Sequence, residues 1–477
     1  MPGSLARGRH INVMRRKSDR PWSIDGSLYS IRSSRQGISH MVSQNRDIDT
    51  LVVGAGQAGI AMSEHLSRHG VSHVVVERDR IAERWRTGRW DSLVANGPAW
   101  HDRFPGLEFD RTAADGFAGK DEVADYFEAY AQKFEAPVRT GTDVRRVTRQ
   151  TGQSGFVVET SDGVFNVHRV VAATGPFQTP VIPAIAPQDA RLTQLHSADY
   201  RNPAQLPEGG VLVVGAGSSG VQIAEELMLA GRDVYLSVGP HSRPPRSYRG
   251  RDFCWWLGVL GKWDAETTAP DQEHVTIAVS GAHGGRTVDF RKLAERGMTL
   301  VGRTQAFDHG QVCFEADLAD NLAGGDTDYL ALLDAADDYV ARYGLDLPAE
   351  PEARRMTADP ACVREPVRQL DLAAAGITTI IWATGYTVDY GWLDGLAALD
   401  DQGRPLHRRG IAAEPGIYFL GLPWLSHRGS SFIWGVWHDA KRIADHIATQ
   451  RKYLAYHETT RARSAGESVE QAMPKAI

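Results

Sequence analysis

A glycine-rich pattern typical of phosphate-binding loops occurs twice in this chain. The copies of G-x-G-x-x-G span residues 54–59 and 215–220, and each follows a short apolar run and precedes a helical pattern. The first glycine permits a tight turn after a strand, the second lets the backbone approach a pyrophosphate, and the third lets helix and strand pack closely. Two such units predict two dinucleotides, each with its pyrophosphate at a helix N-terminus. The residues expected at the two loops are Gly54, Gly56, Gln57, Gly59, Gly215, Gly217, Ser218, Ser219 and Gly220.

The residue that ends the strand after each loop distinguishes the two nucleotides. Glu77 lies 23 residues past Gly54, where a carboxylate accepts hydrogen bonds from the adenosine ribose of FAD or NAD. Ser237 stands at the matching place of the second unit, and a loop with four arginines follows it instead of an acid. This combination is typical of NADP, whose 2′-phosphate is bound well by arginine. We expect Arg243 and Arg246 to bind that phosphate, and a basic loop without a ligand is the alternative.

Composition is that of an ordinary globular protein. The chain has 477 residues, enough for two or three domains, of which 42% are hydrophobic and 23% charged. No apolar run reaches the ~18 residues needed to cross a bilayer, so we expect no integral membrane segment. Three widely spaced cysteines argue against a disulfide framework and for a reducing compartment. We therefore expect a cytoplasmic protein.

Charge is uneven along the chain. Residues 1–46 hold nine Lys/Arg and two Asp, whereas the whole chain has a net charge of −6. The remainder is therefore acidic, which argues against nucleic-acid binding by the folded part. We expect 1–47 to be a disordered basic leader, with a targeting peptide as the alternative, and 451–477 to be a flexible tail.

Two buried-type strands end in the same tripeptide, Ala-Thr-Gly. One covers 169–175, before the second glycine loop, and the other covers 380–386, after the second nucleotide unit. A strand that ends in this way lets the chain turn close to a cofactor without side-chain bulk, although a strand-ending glycine is often only a turn. The residues expected near a cofactor here are Thr174, Gly175, Thr384 and Gly385.

In order and spacing, these motifs resemble those of the flavin-containing monooxygenases, the class B, single-component FAD/NADPH monooxygenases. The resemblance runs from about Asp49 to Ile447 and is nearest to the bacterial FAD-dependent oxidoreductases of this family. The motifs that carry it are the two glycine loops with Glu77, the segment Arg84-Trp85-Arg86, the segment His196-Ser197-Ala198-Asp199-Tyr200, and the two Ala-Thr-Gly strand ends.

The linker motif of the family is only half present. His196 and Tyr200 match it, but Ala190 and Leu192 stand where the family has Phe and Gly. Tyr200 favours heteroatom oxygenases over Baeyer–Villiger enzymes. His196 itself is open to two interpretations, a catalytic group or a hydrogen bond within the linker.

The resemblance implies an α/β fold with two Rossmann-like dinucleotide-binding domains, in which an NADP domain interrupts an FAD domain. The expected boundaries are 48–204 for the first part of the FAD domain, 205–375 for the NADP domain with an insert, and 376–450 for the second part of the FAD domain. The active site of such a chain is expected at the cleft where both nucleotides meet.

The implied activity is the oxygenation of a small organic substrate at N or S, or of a 2-oxo acid. NADPH reduces FAD, and O2 then adds to give a C4a-(hydro)peroxyflavin that must be kept dry. The partners are the substrate and O2, a homodimer is possible, and no metal is expected. The alternatives are an NADPH-dependent flavin oxidoreductase or oxidase that releases H2O2, and a Baeyer–Villiger monooxygenase.

Several further site residues follow from the resemblance. Asn96 matches an Asn that helps to position the oxygenated flavin, and the alternative is a turn residue before Gly97-Pro98. A helix N-terminus after Ser430 would stabilise negative charge on the reduced flavin. The remaining expected cofactor contacts are Arg84, Trp85 and Val144.

Overall fold

The fold is seen in a computed structural model that describes residues 48–266 and 277–464. The predicted basic leader, residues 1–47, lies outside the described residues. The α-helices are α1 (Gln57–Arg68), α2 (Glu83–Arg86), α3 (Lys120–Lys133), α4 (Ser218–Leu229), α5 (Phe253–Val259), α6 (Phe290–Glu295), α7 (Leu318–Tyr343), α8 (Ala361–Arg364) and α9 (Ile433–Ser464).

The strands are short and numerous, and with the helices they give the predicted α/β fold. They are β1 (Ile48–Val53), β2 (His73–Val76), β3 (Val138–Arg139), β4 (Val144–Arg149), β5 (Phe156–Thr160), β6 (Gly163–Ala172), β7 (Thr179–Pro180), β8 (Thr193–His196), β9 (Gly210–Val214), β10 (Val234–Ser237), β11 (Ser247–Tyr248), β12 (Arg251–Asp252), β13 (Thr299–Val301), β14 (Thr304–Asp308), β15 (Gln311–Phe314), β16 (Gln369–Asp371), β17 (Ile377–Trp382), β18 (Tyr386–Thr387), β19 (His407–Arg408), β20 (Ile411–Ala412) and β21 (Ile417–Phe419).

The first large sheet is built around the first glycine unit. Its strand order is β19-β20-β21-β6-β1-β2-β3, and the β4–β5 hairpin extends from β6. The central pairs of β1 with β2, β1 with β6 and β6 with β21 are parallel. Parallel strands are buried on both faces, which is why their sequences are unbroken apolar runs. Helices α1, α3 and α9 share one hydrophobic core with this sheet.

The second sheet is built around the second glycine unit. Its order is β13-β10-β9-β17-β8, and all its strand pairs are parallel. Helix α4 follows β9, so strand, glycine loop and helix succeed one another as in the first unit. A separate three-stranded antiparallel sheet, β14-β15-β16, flanks this unit.

Strands β8 and β17 do not lie in the sheet that the predicted domain boundaries imply. Strand β8 was placed in the first part of the FAD domain and β17 in the second, yet both lie in the second sheet. Trp382 pairs with Val214 and His196 there. The boundaries at 204 and 376 remain a prediction, and the sheet order shows that β8 and β17 pair with strands of the second nucleotide unit. Apolar runs carry no information about which of two sheets they join, so sequence could not place them.

The C-terminal tail is also different from the prediction. Helix α9 does not stop near 450 but continues to Ser464, so residues 451–464 of the expected flexible tail are helical. This stretch is polar, but it contains many good helix formers and neither Gly nor Pro. Tyr453 and Leu454 are exposed on it, which shows why hydrophobic periodicity gave no signal. Residues 465–477 lie outside the described part of the chain.

A buried carboxylate joins three helices of the first core. Glu64 on α1 is 1% exposed and accepts hydrogen bonds from Tyr130 of α3, at 2.6 Å, and from the indole of Trp437 of α9, at 2.8 Å. Arg68 forms an ion pair with the same carboxylate. The charge is therefore both neutralised and hydrogen-bonded, as a buried carboxylate must be.

Substitution Glu64→Ala should destabilise the fold by about 2–4 kcal/mol, because the Trp437 indole would lose its acceptor and the Tyr130 hydroxyl would keep only the Pro105 carbonyl at 3.1 Å. The measurement is urea unfolding followed by circular dichroism. Tyr130→Phe is the matched control and should cost only about 1 kcal/mol, since Trp437 and Arg68 still satisfy the carboxylate. Equal losses for both variants would contradict this account.

Candidate dinucleotide sites and the cleft between them

The first glycine loop has no room for side chains. Gly54 has a φ of +102°, a conformation that L-residues rarely adopt. A β-carbon on Gly59 would lie 1.8 Å from the carbonyl oxygen of Gly54, whereas one on Gly56 would meet no atom within 4 Å. The third glycine therefore allows α1 to pack on the turn, and the second faces open space that a pyrophosphate can occupy.

Glu77 lies beside this loop, immediately after β2. One carboxylate oxygen accepts the backbone N–H of Ala55 at 2.8 Å, and the other accepts that of Asp79 at 3.0 Å. These bonds hold the carboxylate at the carboxyl edge of the first sheet, where an adenosine ribose is bound in Rossmann folds. Its geometry fits the predicted ribose contact.

The second loop repeats the geometry of the first. Gly215 has a φ of +104°, and a β-carbon on Gly220 would lie 1.8 Å from the carbonyl oxygen of Gly215. Gly217 is the N-cap of α4, with Ser218 and Ser219 in its first turn. The first turns of α1 and α4 contain no acidic residue, so nothing there opposes an anion. Both loops thus fit a dinucleotide pyrophosphate.

The Ser218 hydroxyl has a structural partner that sequence did not indicate. It donates to the carbonyl of Ile277 at 2.8 Å, which ties the start of α4 to the segment 277–281 of the insert. A β-carbon on Gly281 of that segment would lie 2.1 Å from the carbonyl oxygen of Ala95. The insert therefore packs between the second glycine unit and the segment that carries Asn96.

Ser237 and the two expected phosphate-binding arginines are all buried. The Ser237 hydroxyl donates to Gly302 and accepts the N–H of Thr304, so it joins β10 to the chain after β13. Arg243 pairs with Asp326, and Arg246 pairs with Asp252. Each guanidinium already has a carboxylate partner, so a 2′-phosphate would have to compete with it.

Arg303 lies near the end of β10 and was not among the arginines expected from the sequence. A β-carbon on Gly239, just past β10, would lie 3.3 Å from the Cγ of Arg303. The Arg303 side chain is 59% exposed and bonds Asp317 through its Nε at 2.6 Å. It follows the strand next to β10, a neighbour relation that only the sheet order reveals.

The two Ala-Thr-Gly ends meet at the connections between the sheets. Gln178 donates to the Thr174 hydroxyl and to the Gly175 carbonyl, each at 2.8 Å. The Thr384 hydroxyl donates to Val181 at 2.5 Å, and β7 pairs with β18 in a two-stranded link. Gly385 accepts a hydrogen bond from His196. These strand ends therefore hold the connections together, whatever else they contact.

His196 is held as a neutral ring. Its Nε2 donates to the carbonyl of Gly385 at 2.9 Å, and its Nδ1 accepts the N–H of Ala198 at 3.1 Å. Burial keeps the pKa of His196 below its usual value. Of the two interpretations of this residue, the geometry favours the hydrogen bond within the linker.

The remaining expected flavin contacts each have protein partners in the structure. Arg84 is exposed and donates to the carbonyl of Phe177, while Trp85 packs against the cores of both sheets. Val144 is half-buried against the first core. The Ser430 hydroxyl accepts the N–H groups of Ser426 and His427, so it fixes the turn before α9 instead of capping the helix.

Gln57 of the first glycine loop reaches that turn. Its amide donates to the carbonyl of Ser431 at 2.9 Å, which brings the start of α9 beside the first loop. The predicted approach of the α9 N-terminus to the first dinucleotide site therefore has a geometric basis.

Asn96 lies where the first core meets α4. Its side-chain oxygen accepts a hydrogen bond from Gln222 at 2.9 Å, and its backbone carbonyl accepts one from Arg246 at 2.6 Å. A cavity of about 410 Å³ lies nearby, and Pro98, two residues after Asn96, is part of its lining. Trp100, Phe117 and Trp255 form an aromatic wall in its lining, and Arg251, Asp115 and Asp252 contribute charged side chains.

The comparisons with known proteins place the chain. The family model described as pyridine nucleotide-disulphide oxidoreductase matches residues 51–249. An uncharacterized oxidoreductase, CzcO-like, of Geobacillus kaustophilus is 34% identical over 404 residues, covering 84% of this chain and 98% of that protein. The indole-3-pyruvate monooxygenase YUCCA1 of Oryza sativa is 30% identical over 419 residues, covering 84% and 91%. The chain belongs to the class B flavin-containing monooxygenase family.

The fold of a solved flavin monooxygenase agrees with this membership. The flavin-containing monooxygenase from Stenotrophomonas maltophilia superposes with a TM-score of 0.59 at 20% identity, covering 85% of this chain and 99% of that one. The predictions of the family, of two Rossmann-like units, of an oxidoreductase and of FAD with NADP(H) as cofactors are confirmed. Within the described residues, no helix is long and apolar enough to span a membrane.

The structure supports the choice between the two activities that the family names suggest. Cys254 is buried, Cys313 and Cys362 are partly buried, and all three are free. A disulfide reductase needs a pair of reactive thiols, and burial raises the pKa of the Cys254 thiol well above its usual value. The three free cysteines therefore do not provide the reactive thiol pair of a disulfide reductase.

Substitution Gly59→Ala should abolish tight FAD binding. A methyl group 1.8 Å from the Gly54 carbonyl forces α1 away from the turn, at a cost of about 1–3 kcal/mol before any ligand contact is lost. The measurement is the flavin content of the purified protein and its FAD affinity by fluorescence quenching. Gly324→Ala is the control, because this glycine lies within α7, has no positive φ, and a β-carbon there meets no atom within 4 Å. Flavin loss in both variants alike would contradict the role of the loop.

Proposed function

We propose that this chain is an NADPH-dependent flavin monooxygenase that oxygenates a small organic substrate, at N or S or as a 2-oxo acid. The observation that carries the proposal is the junction at Asn96, where a side-chain amide of the first unit meets the helix of the second glycine loop. Family membership supplies the flavin context for this junction.

Each part of the site has a task in this proposal. The two glycine loops bind the pyrophosphates of FAD and NADPH, and Glu77 binds the adenosine ribose of FAD. Bound FAD supplies the activation of O2 after reduction by NADPH. The chain itself excludes water from the reacting ring and presents Asn96 as a hydrogen-bond donor. His196 holds the linker and transfers no proton.

Among the three classes, Arg251 supports a carboxylate-bearing substrate; of the two carboxylates that also line the cavity, Asp252 is paired with Arg246 and Asp115 would have to face away from the acid. The guanidinium of Arg251 lies 5.5 Å from the ring of Trp255 and has no carboxylate partner among the described residues. A planar acid could stack on the aromatic wall while its carboxylate pairs with Arg251. The rice relative is named for indole-3-pyruvate, a 2-oxo acid with an indole ring, which agrees with this wall.

The proposal is tested by following NADPH oxidation with an aryl 2-oxo acid, a tertiary amine and a thioether in parallel. For each compound, product formation and H2O2 release are measured together. We expect product to account for most of the NADPH consumed with the 2-oxo acid. If H2O2 accounted for all NADPH with every compound, the chain would be an oxidase and the proposal would fail.

Substitution Asn96→Ala should uncouple NADPH oxidation from product formation. The loss of one hydrogen bond near the reacting ring corresponds to about a tenfold increase in the ratio of H2O2 to product. Flavin reduction by NADPH should stay within about twofold of the wild-type rate, because no hydride passes through the amide. Stopped-flow absorbance gives the reduction rate and a peroxidase assay gives H2O2. Unchanged coupling would show that Asn96 is only a turn residue.

Two sets of arginines now compete for the 2′-phosphate of NADPH. Arg243 and Arg246 are the assignment predicted from sequence, and Arg303 is the one favoured by exposure. Substitution Arg303→Gln should raise the KM for NADPH about tenfold and leave the KM for NADH unchanged, since only NADPH carries the phosphate. Arg243→Gln tests the rival assignment by the same two measurements. A selective NADPH defect in Arg243→Gln alone would remove Arg303 from the site.

A further inference from the structure

Gln222 links the candidate catalytic amide of Asn96 to a backbone carbonyl of the insert through two hydrogen bonds. It lies on α4, is 8% exposed, and its Nε2 donates to the carbonyl of Val279 at 2.8 Å and to the Oδ1 of Asn96 at 2.9 Å. No sequence motif singled it out, because it lies two residues beyond the second glycine loop in an ordinary helical pattern. Its partners come from two other segments of the chain.

These two bonds fix which atom of the Asn96 amide points where. A backbone carbonyl can only accept, so the atom of Gln222 that faces Val279 must be its NH2 group. The same NH2 group faces Asn96, so the atom of Asn96 that receives it must be the oxygen. The orientation of Asn96 is thus derived from an unambiguous acceptor two hydrogen bonds away.

The remaining polar groups of Asn96 complete the arrangement. Its backbone carbonyl is engaged by the guanidinium of Arg246 at 2.6 Å. Its Nδ2 makes no hydrogen bond to any of the residues that the structure describes, and Asn96 is only half-buried. With the oxygen engaged, the free side of the amide is a donor.

A second contact between the same two elements provides a natural comparison. The Ser92 hydroxyl donates to the Glu226 carboxylate at 2.7 Å. Ser92 lies four residues before Asn96, and Glu226 lies four residues after Gln222. Both contacts join the first unit to α4 one helical turn apart. They differ in that only the Gln222 contact reaches the amide.

We propose that Gln222 is a positioning residue that turns the NH2 of Asn96 towards the bound cofactors and thereby makes oxygenation depend on the NADP-binding helix. This inference rests on the role proposed above for Asn96. Gln222 would act only through Asn96, so its removal should reproduce the loss of Asn96 without a separate effect on hydride transfer.

The first test compares Gln222→Met, Gln222→Glu and Ser92→Ala in the FAD-bound, full-length protein. Gln222→Met keeps the size of the side chain and removes the donor, and we expect H2O2 per NADPH to rise to the level of Asn96→Ala, with flavin reduction unchanged. Gln222→Glu can only accept, so Asn96 would have to offer its NH2 to the carboxylate. We expect it to be uncoupled as well, although it restores a polar side chain. Ser92→Ala should stay coupled.

The double variant Asn96→Ala/Gln222→Met separates positioning from general damage. If Gln222 acts through Asn96, the double variant should be no more uncoupled than Asn96→Ala. Wild-type coupling in Gln222→Met, equal uncoupling in Ser92→Ala, or effects that add in the double variant would each overturn the proposal.

A second measurement does not depend on activity. The melting temperatures of wild type, the two single variants and the double variant form a cycle for the Asn96–Gln222 contact. We expect the double variant to melt higher than the sum of the single shifts predicts. If the wild type released only H2O2, the proposed oxygenation would fail while this cycle still tested the contact, and additive shifts in the cycle would refute the contact itself.

Discussion

In both nucleotide units, the carbonyl oxygen of the first glycine fills the space that a side chain on the third glycine would need. A β-carbon on the third glycine of either loop would lie 1.8 Å from the carbonyl of the first, so each helix is packed against its own turn. The turn before α9 shows the same constraint, since a β-carbon on Gly435 would lie 1.9 Å from the carbonyl of Gly429. Close backbone contacts therefore set the starts of α1, α4 and α9. The starts of α1 and α9 are also joined by the hydrogen bond from Gln57 to the Ser431 carbonyl.

The insert of the second unit gives the cleft its shape. Segment 277–281 is held by Ser218 on one side, by Gln222 in the middle, and by the backbone around Ala95 on the other. Arg246 contacts this segment as well, through the carbonyl of Ser280. The insert expected within the NADP domain is thus the region that connects the second glycine loop to the candidate catalytic amide. Its burial also explains why Arg246 has its own carboxylate partner.

Sequence reasoning succeeded wherever a local backbone requirement decides the structure. The backbone of the glycine loops and the place of Glu77 after β2 follow from local strand, turn and helix patterns in the chain. It failed where a choice depends on distant partners. Strands β8 and β17 joined the second sheet, and α9 continued past 450, because apolar runs and polar helix formers do not name their neighbours.

The sequence by itself determined two dinucleotide units, their order, and the family, since these depend on glycines whose conformations no other residue adopts easily. Only the tertiary structure decided which arginines are exposed. Arg243, Arg246 and Arg303 look alike in the sequence and each pairs with a carboxylate, but the first two are buried and the Arg303 side chain is 59% exposed. Only the tertiary structure placed Gln222 against Asn96, residues 126 apart in the chain, because a hydrogen bond across two units has no local signature.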